Sequence, residues 1–400
     1  MIKRNNKFYN KNEENLSKTY LNKLIHSDKP IIIYKIKRGY YLFSDFSEKI
    51  ILSRKNINQF FIKVQNQKNK KHFGYVGFFG YEILCNLIGI KIIKQKNNSF
   101  PMGIFYKPKN VIFLKESFIN NYSLKIKHSS SFKVNLSLKN YTKVFNKFVK
   151  KIKNGETYQI KICQKYINKS KINSFSLFVK LMKTNPSPEA FFIRDTNYSI
   201  ISCSPETLIE RKNDILITKP IAGTMKKNKK SSLAKAKKYF KNNIKESKEH
   251  NMIVDMERND LSKICKNGTV KIKKLKYIEE YKDLYHCITK ISGILKKNIS
   301  TKKIIQAMMP GGSVIGCPKI NTLNLLNNYE IENRNIFTGS FGYIKTNLDM
   351  RFNVIIRSIL HYKGKSEISA ASGVVVGSKA KAEYNENYIK AKSLINLFKK

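Results

Sequence analysis

The order of the secondary-structure patterns constrains the fold of this chain more than any other feature. Short apolar runs such as PIIIYKI and GYYLFSDF alternate with Lys- and Asn-rich turns, which is typical of successive β-strands. Further strand-like runs follow in groups, and helical patterns separate the groups instead of following every strand. Neighbouring parallel strands need a crossover connection, usually a helix. The grouping therefore predicts an α+β fold with mostly antiparallel sheets.

Three helical patterns and one polar segment suggest how the chain is divided. KNYTKVFNKFVKKIKNG has apolar residues at helical spacing and stops at Gly155, a longer pattern covers residues 232–264, and KAEYNENYIKAKSLINLF forms the third. The segment at 130–138 is polar and has no periodicity. We predict a shortened N-terminal region at residues 1–137 and a second, larger domain at residues 138–400.

The net charge of +51, from 78 basic and 27 acidic residues, allows two interpretations. Phosphate contacts need Lys and Arg, so the charge could indicate a nucleic-acid-binding protein. The lysines are spread over the whole chain, however, and residues with AT-rich codons (Lys, Asn, Ile, Phe, Tyr) dominate while Trp is absent. Mutational drift explains this pattern, and we predict no specific nucleic-acid partner.

Cysteine spacing and hydropathy exclude several other classes of protein. The chain has six cysteines, with no Cys-x-x-Cys pair and no matching His spacing: Cys85, Cys163, Cys203, Cys265, Cys287 and Cys317. This argues against a zinc site and against a disulfide framework. No apolar run approaches the ~20 residues needed to cross a bilayer. We therefore expect a soluble, cytoplasmic protein without a membrane partner.

Acidic residues on two predicted helices are candidates for a metal site. Glu249 lies in the long helical stretch, and Glu383 and Glu386 lie near the start of the last helix. Carboxylates that converge from separate helices suit Mg²⁺, a hard cation that prefers oxygen ligands. Helix acids that are solvated or paired with nearby lysines would show the same pattern.

Three segments rich in small residues could let a ligand approach the backbone closely. TKPIAGTMKK ends a strand pattern with bare backbone and one hydroxyl, and SAASGVVVGS has small residues at a strand end. MMPGGSVIGCPK is a Gly-rich turn before a helix that Pro318 can start, where free N–H groups bind anions well. A strand exit, a bulge and a helix-entry turn are the structural alternatives.

Three single residues carry weaker indications of function. His286 in LYHCITK is flanked by apolar residues, and such a histidine is commonly a core residue with its hydrogen bonds satisfied. Arg357 lies inside an apolar strand pattern, NVIIRSIL, so a partly buried guanidinium there needs an anionic partner, from the protein or from a ligand. Tyr343 could be a core tyrosine with one hydroxyl to satisfy.

Taken in order, eleven segments resemble the chorismate-utilising enzymes, and within them anthranilate synthase component I. The segments are NGETYQIKICQ, NPSPEAFF, SPETLIE, KPIAGT, KEHNMIVDMERNDLSKIC, GTV, YHCITKISG, GGSVIGCPK, TGSFGYI, FNVIIRS and AEYNENYIKAKSL. The likeness is dense over residues 138–400 and loose before them, where YVGFFGYE carries it. It implies two large, mostly antiparallel sheets packed face to face with helices outside, and a chorismate-binding catalytic domain at residues 138–400.

The resemblance also assigns roles to individual residues. Glu249 and Glu386 would hold Mg²⁺ against the ring carboxylate of chorismate, while Arg357 and Tyr343 would bind the enolpyruvyl carboxylate. Glu206 matches the general acid that protonates the departing ring hydroxyl, and His286 matches the residue associated with pyruvate elimination. The remaining positions that match the substrate-binding wall are Gly223, Thr224, Ser313, Ala371, Ser372, Gly373 and Lys390.

Two positions distinguish the members of this family. Isochorismate synthases have a Lys, the base for water, where this chain has Gln159, so the resemblance disfavours activation of water. Aminodeoxychorismate synthases read Pro-Ile-Lys-Gly-Thr, and Ala222 replaces that nucleophilic Lys here. This favours ammonia as the nucleophile and anthranilate as the product. The Gly-Gly-Ser of the MMPGGSVIGCPK turn is more typical of aminodeoxychorismate synthases, which remain the alternative.

The resemblance further implies a partner and a difference in regulation. No glutaminase motif is present, so a separate glutamine amidotransferase subunit would supply ammonia, in a heterodimer or heterotetramer. Tryptophan-inhibited relatives carry Pro-Tyr-Met where this chain has Pro188, Glu189 and Ala190. We therefore predict that inhibition by tryptophan is weak or absent. Ala371 and Gly377 also depart from the family pattern and could loosen the site.

Overall fold

A computed structural model describes residues 22–67, 72–90, 92, 100–122, 131–228, 231–281 and 284–399. The strands are β1 (Ile31–Ile36), β2 (Gly39–Ile51), β3 (Phe73–Phe79), β4 (Gly103–Lys115), β5 (Lys133–Val134), β6 (Gln159–Asn168), β7 (Phe191–Asp195), β8 (Tyr198–Ser202), β9 (Thr207–Lys212), β10 (Ile215–Thr218), β11 (Ile221–Lys226), β12 (Lys271–Glu280), β13 (Leu284–Ile294), β14 (Gly316–Cys317), β15 (Ser340–Lys345), β16 (Met350–Asn353), β17 (Ser358–Tyr362) and β18 (Lys365–Val374). The helices are α1 (Ile57–Gln65), α2 (Tyr81–Leu87), α3 (Leu138–Lys153), α4 (Ser174–Thr184), α5 (Leu233–Asn242), α6 (Ile244–Ile264), α7 (Thr301–Met308), α8 (Gly312–Ile315), α9 (Lys319–Tyr329) and α10 (Ala380–Ile395), with 3₁₀ turns at Glu116–Asn121 and Asn396–Phe398.

Every pairing between the described strands is antiparallel, and the pairings form two connected sheets. The first sheet runs in the order β12, β13, β10 with β11, β9, β16, β15, β3, β4. The second runs β2, β1, β7, β8, β17, β18, β6, with β5 and β14 at its edge. β2 and β4, each 13 residues long, pair along most of their length and join the two sheets. The predicted α+β fold is confirmed.

The two sheets pack face to face through an aromatic core. Phe191 of β7, in the second sheet, stacks on Phe341 of β15, in the first, with ring centroids 3.9 Å apart. Tyr34 of β1 meets the edge of the same Phe341 ring at 5.3 Å. We call this buried core between the two sheets the inter-sheet cluster. Burial of such large rings on two facing sheets is the main apolar contribution to holding the sheets together.

Helices cover the outer faces of both sheets. α3 is an example of an amphipathic helix that buries one face against a sheet. Ser137 caps its first turn, and its buried residues recur at helical spacing: Tyr141, Phe145, Phe148 and Ile152. α1, α2 and α6–α9 contribute to one outer core, and α4 and α10 to the other. No described helix is long and apolar enough to cross a membrane.

Several element boundaries differ from the sequence predictions. The pattern at 232–264 is two helices, because Asn243 ends α5 and its side chain caps α6. The residues YEIL continue the apolar run of β3 but form α2, and Pro318 is the N-cap of α9 rather than its first residue. β1 and β3 from the N-terminal region pair with β7 and β15, so strands from both sides of residue 137 share the sheets. The predicted division there stays a prediction.

Candidate active site

A cavity of about 180 Å³ lies between the two sheets. Eight of the predicted site residues line it: Glu206, Gly223, Thr224, His286, Ser313, Arg357, Ala371 and Lys390. They come from strands of both sheets, from segments that connect the sheets, from α8 and from α10, and are therefore brought together only by the complete fold. Residues of the wall that the sequence analysis did not name include Lys161, Phe337 and Ile356.

Two crossover segments position the acid and the arginine of this cavity. Glu206 lies between β8 and β9, and Arg357 between β16 and β17, where the chain passes between the two sheets. The segments run side by side, since Val354 N–H donates to the Glu206 carbonyl at 3.1 Å and Cys203 N–H to the Arg357 carbonyl at 3.1 Å. Arg357 was predicted inside a strand. It lies instead between two strands, with a left-handed φ of 50°.

Glu206 is a buried carboxyl group poised to be protonated near neutral pH. Only 4% of the residue is exposed, and its Oε1 accepts a hydrogen bond from Ser313 Oγ at 2.8 Å. Burial raises the pKa of Glu206 to about 7, against the opposing effects of the Ser313 hydrogen bond and of the Lys161 and Arg357 charges. A carboxyl group with such a pKa can donate a proton at neutral pH, as a general acid must.

Arg357 offers a cation to the cavity. No carboxylate among the described residues forms an ion pair with its guanidinium. The residue is partly buried and lines the cavity beside Glu206. A guanidinium in this position is matched to a carboxylate or phosphate supplied by a ligand.

His286 of β13 is held as a neutral imidazole. Its Nδ1 lies 2.9 Å from Thr224 Oγ1 on the neighbouring strand β11, and the residue is only 2% exposed. Burial and the positive charge of Arg357 lower the pKa of His286 to about 3. The ring therefore remains uncharged at neutral pH and can accept a proton.

The segment that contains Ala222 and Gly223 is shaped by close contacts on both sides. Gly223 has a φ of 95°, and a Cβ atom there would lie 2.7 Å from the Phe240 ring, so that only glycine fits without strain. The Ala222 carbonyl lies 3.1 Å from His250 Nδ1, and His250 Nε2 lies 2.6 Å from Thr289 Oγ1. His250, which the sequence analysis did not single out, thus fixes the backbone at Ala222.

Tyr343 is not part of the described wall of the cavity, contrary to prediction. It lies against the inter-sheet cluster, with its ring 6.0 Å from Tyr34 and 4.9 Å from Phe73. From the same sequence region, Phe337 lines the cavity.

The small residues Ala371–Gly373 lie near the end of a regular strand, as the sequence pattern predicts, and form no bulge there. They pair with Cys163, Ile162 and Lys161 of β6 in unbroken register. Ala371 lines the cavity, whereas the Ser372 hydroxyl points to the other side and donates to the Glu383 carbonyl at 3.1 Å. Gly373 lies against the Gln159 side chain, since a Cβ atom there would come 2.7 Å from Gln159 Nε2.

The two predicted metal ligands lie close to the lysines of the site. Gln159 Nε2 donates to Glu249 Oε1 at 2.9 Å, and Lys161 Nζ lies 3.8 Å from the same oxygen. Lys390 Nζ forms an ion pair with Glu386 Oε1 at 2.8 Å. Desolvation and the Lys161 charge lower the pKa of Lys390, while the charges of Glu386 and Glu249 oppose this shift. The charges of both carboxylates therefore act on Lys390.

The donor atoms at this point suit a hard cation. No group of three or more His, Cys, Asp or Glu residues with metal-binding geometry occurs among the described residues. Mg²⁺, however, is commonly bound by one or two carboxylates, with waters and substrate oxygens completing its shell. One turn before Glu386, Glu383 Oε2 is buried with no hydrogen-bond partner among the described residues. Glu249 and Glu386 thus fit a magnesium site.

Comparison with known proteins decides the family. A family profile described as chorismate binding enzyme matches residues 34–396. The chain belongs to the chorismate-binding enzyme family. The predicted resemblance is thereby confirmed, and so is the expectation of an enzyme that acts on chorismate.

Similar members of the chorismate-binding family carry different names. An anthranilate synthase component I-like protein of Synechocystis is 31% identical over 352 residues, covering 81% of this chain and 72% of that protein. Aminodeoxychorismate synthase component 1 of Bacillus subtilis is 30% identical over 274 residues, covering 68% and 58%. The crystal structure of anthranilate synthase component I from Streptococcus pneumoniae superposes with a TM-score of 0.74 at 22% identity, covering 92% and 91%, which supports the fold.

Proposed function

We propose that this chain is the large subunit of an anthranilate synthase, which converts chorismate and ammonia to anthranilate and pyruvate. The observation that carries this proposal is Ala222. Its small side chain leaves no amine at the position from which a lysine nucleophile would attack the ring, and His250 holds the backbone there. Free ammonia would then be the nucleophile at ring carbon C2.

The residues of the cavity supply the proton transfers of this reaction. As ammonia adds at C2, both ring double bonds shift, the bond from C4 to its hydroxyl breaks, and Glu206 donates the proton that turns this hydroxyl into water. The new ammonium group gives one proton to free ammonia. Neutral His286 then accepts the proton lost from C2 as the C3–O bond breaks, enolpyruvate leaves and takes up a proton from solvent to become pyruvate, and the ring becomes aromatic. The pKa of about 7 at Glu206 suits a proton donor at neutral pH, and the pKa of about 3 at His286 keeps its imidazole uncharged there.

Binding of the dianionic substrate would be divided between a metal and an arginine. Glu249 and Glu386 would hold Mg²⁺, which supplies positive charge for the ring carboxylate. Arg357, which has no carboxylate partner within the described protein, would bind the enolpyruvyl carboxylate bidentately. Thr224, Ser313 and Lys390 complete the polar wall.

The proposed reaction needs a source of ammonia and a cellular context. We infer that a separate glutamine amidotransferase subunit passes ammonia to this chain in a heterodimer or heterotetramer, and that the complex acts in the cytoplasm in tryptophan biosynthesis. The division of the relatives between two names supports one alternative, aminodeoxychorismate synthase. The Gly311–Ser313 turn favours it as well.

Product analysis separates the two activities. The purified chain would be incubated with chorismate, Mg²⁺ and an ammonium salt, and the products separated by chromatography. We expect anthranilate and pyruvate in equal amounts. Accumulation of 4-amino-4-deoxychorismate without pyruvate would overturn the anthranilate assignment. The Ala222→Lys variant is the matched comparison, because it restores the amine that the alternative mechanism uses and should reduce anthranilate formation.

A further inference from the structure

Lys161 is a charged residue of the cavity wall to which the proposed reaction gives no role. It lies on β6, its side chain is 14% exposed, and its ammonium nitrogen is 3.8 Å from Glu249 Oε1. It is two residues from Gln159, so alternation along the strand directs both side chains to one face. Both therefore approach the same oxygen of Glu249.

The two neighbours of Glu249 differ in what they can offer a metal ion. The Gln159 amide has an oxygen as well as an NH₂ group, and a rotation about its last torsion presents that oxygen to a cation. The Lys161 ammonium has three donors and no acceptor, and it carries the same sign of charge as the metal. Gln159 is thus compatible with a bound cation, whereas Lys161 is a competitor for the carboxylate.

We propose that Lys161 acts as an internal counter-ion of Glu249 and competes with a divalent cation for that carboxylate. This inference rests on the proposed function, in which Glu249 is a metal ligand. Lys161 is a positioning residue in this scheme and has no chemical step. Its ammonium neutralises Glu249 in the metal-free site, and metal binding must displace it.

The arrangement around Lys161 leaves room for that displacement. Its cross-strand partner in β18 is Gly373, which has no side chain to confine it. The cavity lies beside it and contains Glu206, whose pKa the Lys161 charge helps to lower. A displaced ammonium can therefore move towards the cavity without leaving the site.

Calorimetric titration with Mg²⁺ alone tests this proposal without any turnover. Lys161→Met keeps the length of the side chain and removes its charge, and we expect roughly tenfold tighter Mg²⁺ binding, since a like charge so close to the cation is removed. Lys161→Arg keeps the charge and should bind Mg²⁺ as the unmodified chain does. Lys169→Met, an exposed change near the end of the same strand, is the control for net charge.

The outcomes separate this inference from the proposed function. Tighter binding in Lys161→Met alone supports the competition. Equal affinities in Lys161→Met and the unmodified chain overturn it, even where anthranilate is formed. An equal gain in Lys169→Met also overturns it, because the effect would then follow from net charge. Absence of Mg²⁺ binding in every folded variant overturns both the competition and the metal part of the proposed function, while the product assay still tests the amination itself.

Discussion

Two of the places where the described structure buries a glutamate near an arginine differ in how the charges are paired. In the inter-sheet cluster, both oxygens of Glu189 are engaged by Arg351, with further hydrogen bonds from Tyr34 and Thr207. At the cavity, Glu206 accepts one side-chain hydrogen bond, from Ser313, and Arg357 has no carboxylate partner among the described residues. Both places contain a glutamate and an arginine, but the protein balances their charges in the inter-sheet cluster and, within the described part of the chain, leaves them without ionic partners at the cavity.

The difference indicates which pair stabilises the fold and which is available for chemistry. Glu189 is completely buried, but its charge is balanced within the protein by Arg351. Burial alone would lower the pKa of Arg351, and the interaction with Glu189 outweighs this effect and raises it. Glu206 lacks such balance, so burial raises its pKa to about 7. A buried charge without an internal partner costs stability unless a ligand or a proton compensates for it. The unpaired residues therefore mark the functional site.

Substitution of Glu206 should give the largest effect on activity. In Glu206→Gln the side chain keeps its shape and loses its transferable proton, so we expect kcat for chorismate consumption to fall about 10²–10⁴-fold. The same variant should unfold at the denaturant concentration of the unmodified chain or above it, because a desolvated carboxyl group is replaced by a neutral amide. An active Glu206→Gln enzyme would contradict the assignment of the acid.

Substitution of Glu189 should lower the stability and leave the activity largely unchanged, the reverse of the effect of Glu206→Gln. Glu189→Gln leaves the partly buried Arg351 without its main charge partner, although Glu210 remains 3.2 Å away. We expect the free energy of unfolding to fall by about 3 kcal/mol, as when one member of a buried ion pair is removed. Chemical denaturation measures this change. Where the variant folds, its kcat should stay close to that of the unmodified chain, and a selective loss of kcat would break the comparison.

Substitution of Arg357 tests the second cavity residue whose charge has no ionic partner among the described residues. Arg357→Met removes the cation while keeping a long side chain, and we expect KM for chorismate to rise roughly 10–100-fold through the lost charge-assisted hydrogen bonds. Stability should change little, since no protein carboxylate loses a partner. Steady-state kinetics and denaturation curves measure the two effects. An unchanged KM would show that the substrate carboxylate binds elsewhere.

The raised pKa of Glu206 predicts a pH dependence. The acid must be protonated to act, so the rate should be constant at low pH and fall about tenfold for each pH unit above a pKa near 7. Because protonation of ammonia also changes with pH, the total ammonium concentration must be adjusted to keep free ammonia constant. The alkaline limb should be missing in Glu206→Gln. A fall in rate at alkaline pH that persists in Glu206→Gln would reflect the titration of another residue.

Much of this fold could be predicted from local patterns. Short apolar runs between polar turns predicted strands such as β1 and β2, and helical spacing with a stop at Gly155 predicted α3 to within a few residues. The single helical pattern predicted over 232–264 is two helices in the structure, because Asn243 ends α5 and its side chain caps the start of α6. Because Asn243 lies within a polar run, the break between the two helices leaves no change in the hydrophobic periodicity of the sequence.

The site was predictable where short segments carry it and not where tertiary packing decides. Gly223 and Glu206 lie in motifs whose local backbone defines their position. Tyr343 was assigned to the cavity by the resemblance, whereas the residues alone left a core tyrosine open, and the structure packs its ring against the inter-sheet cluster. Lys161 was missed in a chain with lysines throughout, although its two-residue spacing from Gln159 placed both on one face of β6.

The inter-sheet cluster also bears on regulation, where the expected effect is the smallest. Glu189 and Ala190 stand where tryptophan-inhibited relatives are expected to carry Tyr and Met, and both residues are fully buried here. An amino acid that bound at this place would have to displace the Glu189–Arg351 pair and would bring its own carboxylate close to Glu189. We therefore expect tryptophan to leave the rate of product formation unchanged and to give no heat of binding in calorimetry. Inhibition at micromolar tryptophan would mean that the paired cluster opens for a ligand as readily as the cavity does, and the contrast between the two regions would not hold.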